Sequence, residues 1–222
     1  VPPEQVPRDQ VVPLLDVKAS ILVGMRRTGK TSLAWQTMSA LLSKGVAREQ
    51  ILYLNLEDDR LPRPFTGKEL GGLLDLYYRD RPALFDRVTY LFLDEIQEAE
   101  GWERVVRRFL DSQRVKICLT GSSSKMLSSD IATSMRGRSV SLEVWPFSFH
   151  EFCRARNLEQ TLLKEPLGSR ESAIFRATLL EYLQVGGFPE VQRLDPFIRT
   201  AVLQEYREVL ISRDLVERHR IK

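Results

Sequence analysis

Cysteine is nearly missing from this sequence: Cys118 and Cys153 are the two in 222 residues. Two thiols cannot build a disulfide framework or a cysteine-ligated metal site, and they fit a reducing compartment, so the expected localisation is cytoplasmic. Histidine is equally scarce. His150 and His219 stand far apart with no nucleophile pattern beside either, and both read as structural. No apolar run approaches the roughly 20 residues of a membrane span, and Val1-Pro2-Pro3-Glu4 lacks the layout of a signal peptide. No membrane partner is expected. A dominant charge is lacking too: 33 Lys+Arg against 30 Asp+Glu leave +3, too little to announce a nucleic-acid binder. An N/T-K-x-D segment, the guanine reader of a GTPase, does not occur.

What is present is an ordinary globular composition, 43% hydrophobic and 28% charged, with room for one α/β domain and a small appendage. The chain turns on residues 24–31, Gly-Met-Arg-Arg-Thr-Gly-Lys-Thr. This G-x-x-x-x-G-K-T follows an apolar strand run, Ala19 to Val23, and precedes a helix-forming run, the context a nucleotide phosphate cradle requires. Gly24 and Gly29 let backbone N–H groups converge on one concavity, and the following helix adds its positive dipole end. Lys30 supplies a point charge and Thr31 a hydroxyl for Mg²⁺ between the outer phosphates. Met25, Arg26, Arg27, Thr28 and Ser32 complete the expected cradle. Arg26 and Arg27 either offset phosphate charge or face solvent.

Apolar runs and helical periodicities alternate along the chain. Strands are expected at 19–24, 51–56, 90–93, 115–120 and 139–144, with helices after 30, over 69–79 and over about 101–112. Residues 60–68 read as a loop. Beyond Trp145-Pro146 the pattern becomes helical, at 147–156, 171–185 and 197–218. Alternating strands and helices imply a parallel α/β sheet with right-handed crossovers, and ligands bind past the carboxyl ends of its strands. The cradle, Asp94-Glu95 and Ser122 all fall at such ends.

Asp94-Glu95 closes a strand with four apolar residues before it. An acid there can hold Mg²⁺ through its water shell, and a neighbouring carboxylate can orient and deprotonate an attacking water; the plainer reading is an acidic helix start. Ser122 is placed to touch a γ-phosphate or the water, with Thr120 as its substitute; otherwise it caps a turn. Arg136 and Arg138 precede the fifth strand, where an arginine could reach a neighbouring subunit's phosphate or simply sit in a solvated turn. Trp35, Trp102 and Trp145 read as packing residues.

Taken together, Gly-Met-Arg-Arg-Thr-Gly-Lys-Thr, Tyr-Leu-Asn-Leu-Glu-Asp, Leu-Phe-Leu-Asp-Glu-Ile-Gln, Leu-Thr-Gly-Ser-Ser-Ser, Arg-Gly-Arg, Trp-Pro-Phe-Ser-Phe-His-Glu-Phe and Gly-Gly-Phe-Pro-Glu-Val resemble prokaryotic AAA+-type P-loop ATPases of the archaeal ATPase group, close to the STAND class, over residues 15–220. The resemblance implies an α/β additional-strand fold with parallel sheet order 5-1-4-3-2 and a helical lid. It implies an ATPase core with an N-terminal lead-in over 1–148 and the lid over 149–222. It assigns ATP or ADP and Mg²⁺ as ligands, Lys30 and Thr31 to phosphate and metal, Asp94 to Mg²⁺, Glu95 as the water-activating base and Ser122 as the polar sensor. Arg138 becomes the finger in trans, which would make the partner a second copy of the chain. Phe188 and Pro189 fall where relatives press a turn against the adenine. The family often continues into a nuclease-like C-terminal domain, expected to lie outside these residues. No second sensor arginine stands out in the lid.

The leading expectation is therefore a Mg²⁺-dependent ATPase that drives a conformational or regulatory output, delivered through a further domain or a protein client. A small-molecule kinase stays open on the cradle alone. A nucleotide-gated interaction module with negligible turnover and a DNA remodeller or loader are the competing readings, and no winged-helix reader supports the latter.

Overall fold

The computed structural model describes residues 5–121, 133–162 and 168–209. They divide into two compact units, one formed by Gln10–Arg26 and Lys30–Val144, the other by residues 5–9, Arg27–Gly29 and the chain from Trp145 onward.

The first unit is built on five parallel strands: β1 (Ala19–Val23), β2 (Ile51–Asn55), β4 (Thr89–Asp94), β6 (Val115–Gly121) and β7 (Ser139–Glu143), in the order β2-β4-β6-β1-β7. Two residues each form β3 (Phe65–Thr66) and β5 (Ala99–Glu100), which pair separately. Counting the long strands alone from the far edge gives 5-1-4-3-2, as expected. Side chains two apart share a face of a strand, and the core follows that rule. Ile21, Val23, Leu91, Leu93, Ile117 and Leu119 join one apolar cluster, while Leu22, Phe92 and Cys118 join a second. The first cluster is covered by α2 (Gly67–Arg79) and α3 (Trp102–Ser112), the second by α1 (Lys30–Ser43). A sheet buried on both faces needs strands apolar at almost every position, which is what β4 and β6 supply.

The stretch expected as a loop over 60–68 needs correction. Thr66 caps α2 two residues earlier than the expected start: its hydroxyl accepts from the Lys68 nitrogen at 3.2 Å, and Glu69 Oε2 accepts from the Thr66 nitrogen at 3.0 Å. This capping box satisfies two otherwise orphaned donors. Gly67 is required by a close approach, because an added Cβ would lie 2.9 Å from the Gly101 carbonyl oxygen.

The second unit holds α4 (Phe149–Ala155), α5 (Glu159–Leu162), α6 (Ser169–Val185) and α7 (Pro196–Val209). The Ser148-x-x-Glu151 capping box starts α4, and Glu151 Oε1 also accepts from Arg8 Nε and from the Asp9 nitrogen, both at 2.8 Å. Both partners of the Arg8–Glu151 pair are 3% exposed, so either one alone would leave an uncompensated buried charge. Gly187 lies against the Phe147 backbone and its carbonyl accepts from the Phe147 nitrogen at 2.7 Å; a Cβ there would collide with that backbone. Trp145, expected as packing, is instead 60% exposed, and its carbonyl accepts from Arg8 Nη2. Among the described residues no helix is long and apolar enough to cross a membrane.

Phe109 on α3 is 2% exposed and stacks on Tyr78 with ring centroids 5.8 Å apart. Phe109→Ala is expected to lower stability by about 3–5 kcal/mol, read as a fall in the urea midpoint with an unchanged slope.

Candidate functional site

All the chemistry of the first unit gathers at the carboxyl edge of its sheet. Leaving β1, the backbone takes positive φ at Gly24 (151°), Arg27 (64°) and Gly29 (97°), and α1 begins at Lys30. Backbone of this kind can turn successive amides toward one anion. Lys30 is 5% exposed, and its Nζ donates to the carbonyls of Gly24 at 2.9 Å and Met25 at 2.7 Å. Burial pushes its pKa below that of an ordinary lysine, against the pull of Glu95 and Asp94. Ser32 follows in the first turn of α1.

Asp94, at the end of β4 and 4% exposed, receives three hydroxyls. Thr31 Oγ1 lies 3.0 Å from Oδ2 and 3.2 Å from Oδ1, Tyr53 OH donates to Oδ2 at 2.7 Å, and Thr120 Oγ1 donates to Oδ1. The pairing Leu93↔Leu119 puts Thr120 beside Asp94 across the β4–β6 junction. The same Thr120 hydroxyl accepts from the Glu95 nitrogen at 3.0 Å. Glu95 itself sits in the left-handed region (φ 53°), so the chain turns sharply off the strand there, and Gln97 Nε2 donates to Glu95 Oε2 at 2.5 Å. Arg26 pairs with Glu57 at 3.6 Å; the Glu57 carboxyl is pushed up by burial and then by Glu95, with Arg26 opposing.

The donor set suits a hard cation such as Mg²⁺, which takes oxygen ligands, keeps several waters and needs only one or two protein groups beside substrate phosphates. Thr31 Oγ1 and Asp94 would hold it. Among the described residues no group of three His, Cys, Asp or Glu forms a self-sufficient metal cage, and a cation held mainly by phosphate and water does not call for one.

The remaining expected residues fall elsewhere. Arg138 is at the amino edge: its carbonyl accepts from the Ala19 nitrogen at 2.9 Å, and its guanidinium pairs with Asp111. The length of β1, roughly 16 Å at 3.3 Å per residue, separates it from the cradle of its own chain. Arg136 takes a positive φ of 50° in the turn before β7. Ser122 lies outside the described residues, as does His219. In the second unit, Thr28 is buried and its carbonyl accepts from Arg8 Nη1 at 2.8 Å, while a Cβ on Gly29 would meet that nitrogen at 3.0 Å and the Pro189 ring at 3.8 Å. Phe188 packs edge-on against Tyr206, with centroids 5.2 Å apart. Arg27 Nη1 donates to both carboxylate oxygens of Glu190, and its guanidinium lies 5.3 Å over the Tyr206 ring. Burial alone would raise the Glu190 pKa; the bonds from Arg27 and Tyr206 outweigh it and hold the carboxyl below its usual range.

Sequence reasoning missed Tyr53, Gln97 and Glu190, and gave Thr120 only as a substitute. A phenol in an otherwise apolar strand, two residues short of its end, is the signal that could have found Tyr53.

Thr120→Val keeps the shape of the side chain but strips a partner from Asp94 and from the Glu95 amide. A loss of roughly 1–3 kcal/mol is expected, checked by denaturant unfolding without metal or nucleotide.

Comparison with known proteins gives a family. Residues 16–153 match the AAA-domain model AAA_14. An uncharacterised protein of Methanocaldococcus jannaschii is 37% identical over 97% of this chain and 46% of its own length. An uncharacterised protein of Haemophilus influenzae is 32% identical over 91% of this chain and 47% of its own. The chain thus spans about half the length of these relatives. Among solved structures, the Aeropyrum pernix Orc1 protein in complex with DNA is 16% identical, with a TM-score of 0.43 over 88% of this chain and 61% of that one; that likeness is too distant to bear on function. The match over most of the sheet-bearing unit decides the matter: the chain belongs to the AAA-domain family of P-loop ATPases.

Proposed function

We propose that this chain hydrolyses ATP to ADP and phosphate, as the catalytic core of a protein whose conformational or regulatory output is delivered by parts beyond these residues. The observation that carries the reading is the buried Asp94 carboxylate bonded to Thr31 of the cradle, with Glu95 turned off the strand beside it.

On binding ATP, Lys30 exchanges the carbonyls of Gly24 and Met25 for phosphate oxygens, and the cradle amides take the remaining charge. Thr31 Oγ1 and Asp94 would hold Mg²⁺, which would offset charge on the outer phosphates. Glu95 orients a water in line with the γ-phosphorus and accepts its proton as the new P–O bond forms; the bond to the bridging oxygen breaks and ADP leaves. Thr120 fixes the Glu95 backbone, and Gln97 restrains its carboxylate. The separation of Arg138 from its own cradle supports a role for that residue only at the site of a second copy. Within the family, the motifs favour the archaeal ATPase group, with a nuclease-like C-terminal domain as the further part.

Two measurements test this. Glu95→Gln is expected to cut the rate of phosphate release by 10²-fold or more while ATP binding, measured by calorimetry, stays within about threefold; an unchanged rate overturns the assignment of Glu95. The second concerns pH. A phosphate favours charged Lys30, whose pKa is lowered in the free protein, so binding takes up a proton wherever the free amine is partly neutral. ADP affinity is therefore expected to fall as pH rises through that lowered value, by up to tenfold per unit, at a lower pH than an ordinary lysine would give. Lys30→Met should bind weakly without that alkaline limb.

A further inference from the structure

Tyr53 is more than the packing of β2 requires. Its ring is half-buried among the residues between the sheet and α1, beside the edge of Trp35 at 6.2 Å and 61°. A phenylalanine would fill the same space. The hydroxyl adds a 2.7 Å donation to Asp94 Oδ2, and the Trp35 side chain hydrogen-bonds to the same phenol oxygen. Tyr53 pairs with Phe92, two residues before Asn55↔Asp94, so its side chain lies along the sheet toward the carboxyl edge to make that bond.

The distribution of donors on Asp94 gives the hydroxyl its use. Oδ1 accepts from Thr120 and Oδ2 from Tyr53, and Thr31 lies within reach of both oxygens. Thr31 belongs to the cradle, so a metal that takes its hydroxyl withdraws it from Asp94. The carboxylate then keeps one donor on each oxygen, and two bonds from neighbouring strands on either side fix its plane. Were the phenol absent, Asp94 would be held at Oδ1 alone and could rotate about that bond. Groups of this kind, bonded to a metal-holding carboxylate without touching the metal, commonly set affinity by tenfold or more. Trp35 stands four residues after Thr31 on α1, hence on the same face of that helix, and backs the phenol ring.

We propose that Tyr53 is a positioning residue of the metal site, holding Asp94 in register for the cation while Thr31 turns to it. The proposal rests on the reading of Thr31 and Asp94 as the metal-holding pair.

The test uses the full chain and Tyr53→Phe, with Mn²⁺ and ADP as probes. Free Mn²⁺ is followed by electron paramagnetic resonance in the presence of saturating ADP, and ADP binding is measured separately in excess EDTA. For Tyr53→Phe the Mn²⁺ dissociation constant is expected to rise about tenfold, and the Mg²⁺ concentration for half-maximal turnover to rise with it, while ADP binding in EDTA stays within twofold. Equal Mn²⁺ affinity in wild type and Tyr53→Phe overturns the proposal and leaves the ATPase reading standing. Weakening of ADP binding to the same degree with and without metal also overturns it, because that is what a packing residue would do. A wild-type chain that binds neither ADP nor Mn²⁺ fails at the ATPase reading, visibly in the wild-type trace alone, and the proposal falls with it.

Discussion

A carboxylate taken out of water must be met by hydrogen-bond donors, and Asp94 is where this protein meets that demand. Three hydroxyls reach it from three different elements: Thr31 from the helix after the cradle, Tyr53 from β2 and Thr120 from β6. Their convergence requires the strand order β2-β4-β6-β1, since only β4 flanked by β2 and β6 can be addressed from both sides. It also requires the register, because a slip by one residue would turn Tyr53 and Thr120 to the opposite faces. The apolar clusters above and below the sheet hold that register. Packing and chemistry are thus tied through one side chain.

Much of this is legible in the sequence because it is local. The cradle announces itself by glycines, a lysine and a threonine at fixed spacing, and the apolar runs ending at Asp94 and Thr120 place both at strand tips. What depended on contacts between strands was harder to see. Tyr53 looks like any aromatic in a strand until the sheet order sets β2 beside β4. Thr120 and Ser122 are both polar and lie two residues apart, and only the strand pairing sets Thr120 beside Asp94. The loop expected over 60–68 failed for a different, local reason: Thr66 and Glu69 form a capping box that two nearby prolines obscure.

The second unit shows which of its motif residues are architectural. Ser148 and Glu151, inside Trp-Pro-Phe-Ser-Phe-His-Glu-Phe, start a helix and neutralise the buried Arg8. Gly187, in Gly-Gly-Phe-Pro, is small because the Phe147 backbone occupies the space a side chain would take. Neither needs a ligand to explain it. Glu190 differs, because it spends its carboxylate on Arg27 of the cradle sequence and on the Tyr206 hydroxyl, a cluster about half-exposed at its ion pair.

In a sheet of parallel strands the two edges are unlike, and here Lys30, Asp94, Glu95 and Thr120 crowd onto one of them. The turns at 44–50, 80–88 and 113–114, which lead from helices back into β2, β4 and β6, occupy the other. They carry none of the cradle or strand-tip residues. Inserted peptides, affinity handles or a site-specific dye at these turns would report on the molecule without entering its chemistry.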